Sequence, residues 1–185
     1  MSRLALVGGG VRSGKSAFAL RLAMRRGARR AFVATAQAYD DEMRARIARH
    51  VEERGTDFAT VEAPHALEEA LARLRGMVDV VVVDCLTLWL SNLLLGAVVV
   101  SDIESRVDAL ARALESAPFA SVLVTNEVGM GIVPDSALGR AFRDIAGRAH
   151  QRLARSAREL YLAAVGTVVR LRPGPVEVVE PGGPT

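Results

Sequence analysis

The chain has 185 residues, half of them hydrophobic and 24% charged, with a formal net charge of +3. It is long enough to bury the core of one globular domain and too apolar to be a disordered chain. Aromatic residues make up only 4%, which excludes stacking platforms for single-stranded nucleic acid, and the basic residues are dispersed among carboxylates, so no nucleic-acid partner is expected. A single cysteine, Cys85, excludes an internal disulfide framework and a Cys-rich zinc site and fits a reducing cytoplasm.

Short β-branched runs alternate with longer amphipathic stretches, the rhythm of a parallel sheet covered by helices. The first predicted strand, residues 4–7, leads into Gly9, Gly10, Val11, Arg12, Ser13, Gly14, Lys15 and Ser16, which reads G-x-x-x-x-G-K-[ST] ahead of a predicted helix over 15–26. Glycines in such a loop let successive N–H groups point at phosphate oxygens, and the helix N-terminus adds its dipole. Of the 24 Lys and Arg residues only Lys15 is lysine. Its compact charge can reach between a β- and a γ-phosphate, where the wider guanidinium fork would not fit. The segment therefore predicts a nucleoside triphosphate with Mg²⁺, and Ser16 supplies the hydroxyl to the metal.

A strand over 31–34 precedes a helix over 40–54. On that helix Met43, Ile47 and Val51 form one apolar stripe, with Arg46, His50 and Arg54 on a neighbouring face. That row suits a triphosphate, and equally a solvated face balanced by Asp40, Asp41, Glu42, Glu52 and Glu53. A strand over 58–61 and a helix over 66–75 come next. "DVVVVDC" then predicts a strand over 78–83 buried on both faces, hence central, with Asp84 at its end as the second metal-side residue beside Ser16. Residues 86–100, "LTLWLSNLLLGAVVV", are too short for a membrane span and carry Thr87, Ser91, Asn92 and Gly96; they read as buried core or subunit contact. The apolar stretch in "MSRLALVGGG" is likewise too short for a signal peptide. After a helix over 103–116 and a strand over 121–125, "VLVTNEVGMGIVP" leaves a strand end with Asn126 and Glu127. Strand ends of a doubly wound sheet face the ligand crevice, so both are candidates for substrate contact.

A helix over 136–158, expected to break near Gly147, is followed by a strand over 160–165 and a last edge strand over 167–171. From Pro173 onward lie four of the seven prolines, which predicts a loosely attached tail. The chain thus reads as one P-loop NTPase-like (RecA-like) α/β domain over 1–172, with a mainly parallel sheet and helices on both faces, and a Pro/Gly-rich tail over 173–185. The residues by themselves fit a P-loop kinase of a small metabolite or a nucleotide-dependent switch.

The segments "GGGVRSGKS", "TAQAYDDEMRARIARH", "VEAP", "VDCLTLWLSNLL", "TNEVGMGIVP" and "FRDIAGRAHQRLA", in this order and spacing, resemble the bifunctional adenosylcobinamide kinase / adenosylcobinamide-phosphate guanylyltransferase family of cobalamin biosynthesis. The resemblance implies a kinase reaction, in which ATP or GTP phosphorylates the aminopropanol hydroxyl of adenosylcobinamide. It also implies a guanylyl transfer, in which GMP from GTP passes through a covalent histidine intermediate to adenosylcobinamide phosphate. By the same resemblance His50 is the guanylylated residue, and Ala34, Thr35, Ala36, Val51, Glu52, Glu53, Arg54, Glu62 and Asp84 border GTP. Glu62 is the candidate to accept from the guanine N–H groups, while Arg46, Arg49 and Arg54 are available to the α-phosphate. Family members form homo-oligomers, which implies a trimer. Val11 replaces the family's usual alanine and His150 its usual asparagine, and the tail has no counterpart.

Overall fold

The computed structural model describes residues 3–38 and 40–180. In chain order the elements are β1 (Leu4–Gly9), α1 (Lys15–Met24), β2 (Arg30–Ala34), α2 (Asp41–Arg54), β3 (Ala59–Glu62), α3 (Leu67–Arg73) and β4 (Val80–Asp84). There follow α4 (Leu86–Leu95), α5 (Val100–Glu115), β5 (Ala120–Asn126), α6 (Ala137–Ser156), β6 (Glu159–Ala164), β7 (Thr167–Arg172) and β8 (Glu177–Glu180). Within α2 the side chains of Glu42, Arg46, His50, Glu53 and Arg54 lie outside the described residues.

The strands form one eight-stranded sheet in the order β3-β2-β4-β5-β1-β6-β7-β8. From β3 to β6 every pairing is parallel, and β7 and β8 join antiparallel. Strand residues alternate between two cores, as the period of two requires. Leu4, Leu6, Val81, Val83 and Leu123 pack under α3, α4, α5 and α6. Ala5, Val7, Val80, Val82 and Val122 pack under Phe18, Ala19 and Ala23 of α1. β4 is therefore apolar at four successive positions because it is covered on both faces.

The stretch expected as buried core proves to be a helix, and three further expectations are corrected. Residues 86–95 form a helix whose Leu86, Trp89, Leu90 and Leu93 are buried, a helix that a continuous apolar run does not announce because no polar face marks its period. α6 runs unbroken through Gly147: Ile145, Ala146, Ala149 and Leu153 stay buried along one face, outweighing the ~1 kcal/mol helix cost of glycine. The tail is not loosely attached over its whole length, and β7 is not the edge. Residues 177–180 pair with β7, Val179 packs against the α1-side core, and Glu177 and Glu180 form ion pairs with Arg170 and Arg21. Residues 181–185 lie outside the described residues.

This order places β5 between the P-loop strand β1 and the Asp84-bearing strand β4. All the parallel strands end on the same edge of the sheet, where ligands of open α/β sheets bind.

Candidate nucleotide site

The loop between β1 and α1 has the backbone a phosphate cradle needs. Arg12 and Gly14 take positive φ of 53° and 91°, turning successive N–H groups toward one point. A Cβ on Gly9 would lie 2.4 Å from the Ala163 carbonyl oxygen and 2.7 Å from Ser13 Oγ, so only glycine fits there. α1 begins at Lys15 without a side-chain cap, leaving its first-turn N–H groups to an anion. Lys15 is buried with Nζ donating to the Gly10 carbonyl at 3.0 Å. Ser13 Oγ is buried with no hydrogen-bond partner among the described residues, an orphan that a ligand or water in the cradle would satisfy.

Beside the cradle lies an open cleft. Lys15, Ser16, Asp84 and Asn126 give it a polar floor, and Phe32, Leu88, Met43 and Ile47 give it apolar walls. Met43 and Ile47 come from α2, so these two of the three stripe residues face the cleft, while Val51 is exposed. The helix starts where Asp40 accepts from the Met43 N–H at 2.7 Å. Ser16 and Asp84 offer one hydroxyl and one carboxylate to the same cleft, hard oxygen donors suited to Mg²⁺. Among the described residues no cluster of three His, Cys, Asp or Glu could hold a metal. Such an ion would complete its shell with phosphate oxygens and water.

Buried hydrogen bonds fix this floor. Thr35 is wholly buried; its hydroxyl accepts from the Cys85 N–H and donates to the Cys85 carbonyl, both at 2.8 Å. It clamps the end of β2 to the end of β4, so of the predicted segment Ala34 and Ala36 line the cleft and the Thr35 side chain does not. Asn126 Nδ2 donates to Thr87 Oγ1 at 2.8 Å. Burial, then the nearby Asp84 charge, pushes the Cys85 thiol up to about 11, so it stays protonated and is no nucleophile near neutrality.

The remaining predicted residues are spread more widely. Glu62 is exposed at the end of β3, in register with Ala34. Arg49, Val51 and Glu52 are exposed on α2. Arg46, His50, Glu53 and Arg54 lie on the same helix, with side chains outside the described residues. The sequence reading did not bring His150 to the site. It lies against the end of β5, with Nε2 2.7 Å from Oγ1 of Thr125, the neighbour of the cleft residue Asn126, and Nδ1 3.7 Å from a Glu127 carboxylate oxygen.

Comparison with known proteins agrees with this geometry. The fold resembles a solved ATPase domain (TM-score 0.58, 12% identity, covering 98% of this chain and 82% of that one). It also resembles the RadB recombinase (TM-score 0.50, 16% identity, covering 96% and 86%); at such identities the likeness concerns the RecA-like P-loop fold alone. In sequence the chain is 39% identical to the "Bifunctional adenosylcobalamin biosynthesis protein CobU" of Escherichia coli (strain K12), over 90% of this chain and 98% of that protein. It is 40% identical to the corresponding CobP of Pseudomonas aeruginosa, over 92% and 98%. Residues 5–171 match the family described as "Cobinamide kinase / cobinamide phosphate guanyltransferase". A phosphate cradle, a carboxylate on a nearby strand end and these relatives along nearly the whole chain lead to one conclusion: the chain belongs to the cobinamide kinase / cobinamide phosphate guanyltransferase family.

Proposed function

We propose that the chain catalyses both reactions for which its family is described, using adenosylcobinamide and its phosphate as acceptors and ATP or GTP as donors. The observation that carries this is the convergence of Lys15, Ser16 and Asp84 on one cleft walled by α2, the helix on which His50 stands. In the kinase reaction the cradle and Lys15 hold the β- and γ-phosphates while the acceptor hydroxyl attacks the γ-phosphorus. Ser16 and Asp84 would hold Mg²⁺, which when bound neutralises charge on the phosphates. In guanylyl transfer the neutral His50 imidazole attacks the α-phosphorus of GTP, the bond to the leaving pyrophosphate breaks, and the GMP then passes to the phosphate of the second acceptor. One difficult displacement thereby becomes two easier ones. Arg46, Arg49 and Arg54, spaced along the same helix, would spread the charge on the α-phosphate.

Incubation with GTP labelled at the α- or γ-phosphate, followed by denaturation, tests the covalent step. Protein-bound label is expected from the α-phosphate alone, acid-labile and absent in His50→Ala; no retained α-label would remove the guanylyl-transfer half. The same reading makes the protein a cytoplasmic homo-oligomer, a trimer by resemblance, which light scattering at defined protein concentration checks.

A further inference from the structure

Phosphoryl transfer to an alcohol needs a group to orient the hydroxyl and take its proton. Three described carboxylates stand at the C-terminal edge of the parallel strands: Glu62, Asp84 and Glu127. Glu62 ends β3, four strand spacings from β1, about 19 Å from the cradle at the usual interstrand distance. Asp84 lies on the metal side of the cleft. Glu127 leaves β5, the neighbour of β1, and its backbone N–H donates to the Gly9 carbonyl at 3.0 Å, which ties it to the first residue of the cradle.

Its carboxylate is held from two sides. Oε1 accepts from the Gly129 N–H at 2.6 Å, and Arg143 of α6 donates to the Gly129 carbonyl at 2.6 Å, fixing that loop. Oε2 receives no hydrogen bond from the described residues and faces His150 Nδ1 at 3.7 Å. His150 Nε2 is 2.7 Å from Thr125 Oγ1, and Thr125 pairs with Gly8 in the sheet. Only one tautomer suits both neighbours: Thr125 donates to Nε2, and the Nδ1–H faces the carboxylate. Past Glu127, Met130 and Ile132 are 85% and 96% exposed, as Val11 is at 72% just past Gly9, so both loops leaving this point present apolar surface to a large acceptor.

We propose that Glu127 is the catalytic base of the kinase reaction and that His150 positions it. Glu127 Oε2 accepts the hydroxyl proton as the acceptor oxygen bonds to the γ-phosphorus. The bond between the γ-phosphorus and the bridging oxygen breaks, the nucleoside diphosphate leaves with the electron pair, and Glu127 returns its proton to water. This rests on the proposed function and divides its two activities. In guanylyl transfer the acceptor is a phosphate, largely ionised above its second pKa of about 6, with no hydroxyl proton to remove.

The test assays full-length protein separately with adenosylcobinamide plus ATP and with adenosylcobinamide phosphate plus GTP. Glu127→Gln is expected to lower kinase kcat roughly 10²- to 10⁴-fold while guanylyl transfer stays within a few fold, which also reports that the variant is folded. His150→Asn is expected to lower kinase kcat about tenfold in the wild-type background and to cost nothing further in Glu127→Gln, as coupled residues do. If Glu127→Gln does not fold, Glu127→Asp carries the test, with the same selective loss expected. Equal loss of both activities, an unchanged kinase rate, or additive effects of Glu127 and His150 would overturn the proposal. A wild-type chain inactive with either acceptor would remove the proposed function and this inference with it.

Discussion

His150 shows what a burial pattern does to one titratable side chain. Its removal from water pulls the imidazole below its ordinary value, against the opposing pull of the Glu127 charge. In the unfolded chain a histidine takes its proton near pH 6.5, whereas the folded ring resists until a lower pH. Between those two values the unfolded state binds more protons, so this stabilisation is full above pH 6.5 and is lost as the pH falls toward the folded value. Urea unfolding of wild type and His150→Asn at pH 7.5 and 5.5 is expected to show wild type losing more stability on acidification; parallel losses would contradict it. The packing that buries His150 was not legible in the sequence. Thr125 and His150 lie 25 residues apart on different elements, and no local spacing rule joins them. The loop between β1 and α1, by contrast, was legible because its glycines, lysine and serine are contiguous and its form depends on local backbone geometry.

At the scale of elements, α4 combines an apolar surface with a polar pin. Asn92 is buried within the helix, and its Nδ2 donates to the Thr35 carbonyl at 2.8 Å and the Pro64 carbonyl at 2.9 Å. One amide therefore gathers the chain leaving β2 and the chain leaving β3 under the same helix. Trp89, one turn earlier, does the same for the next residue, donating from Nε1 to the His65 carbonyl at 2.9 Å. Asn92→Ala removes a donor from two carbonyls inside the protein, and is expected to cost about 2–4 kcal/mol. Denaturant midpoints compared at constant slope measure it, and a change under about 1 kcal/mol, the size of one ordinary hydrogen bond, would show that the pin is dispensable. Polar residues inside a long apolar run carried a readable signal here: Thr87 and Asn92 argued against a membrane span, and the same burial makes them hydrogen-bonding anchors. β8 carried none: residues 176–180 read V-E-V-V-E, which keeps no period of two, and only Val179 packs on the core. The His50 helix was legible from its apolar spacing, and Met43 and Ile47 of that stripe reach the cleft wall while Val51 stays exposed.

Across the whole molecule the sheet edge sets distances between parts of one ligand. The order β3-β2-β4-β5-β1 runs from Glu62, past Ala34, Asp84 and Asn126, to the cradle. On the proposed function, a triphosphate anchored at Lys15 points its nucleoside along the cleft toward β2 and β3. Such an ordering was not readable from local patterns, because strand neighbours in a doubly wound sheet are fixed by crossovers between distant segments. It gives the proposed role of Glu62 a geometrical test: a residue about 19 Å from β1 is out of reach of phosphates held in the cradle. A carboxylate there can accept from both guanine N–H groups, whereas adenine offers it no matching pair of donors. Glu62→Gln replaces one acceptor by a donor at nearly constant shape, so the change reads recognition alone. The ratio of kcat/KM for GTP over ATP in guanylyl transfer is expected to fall about 10- to 100-fold, the size of a lost hydrogen bond to a charged group. An equal loss for both nucleotides would mean that Glu62 supports the strand end, and an unchanged ratio would move guanine recognition elsewhere along the edge.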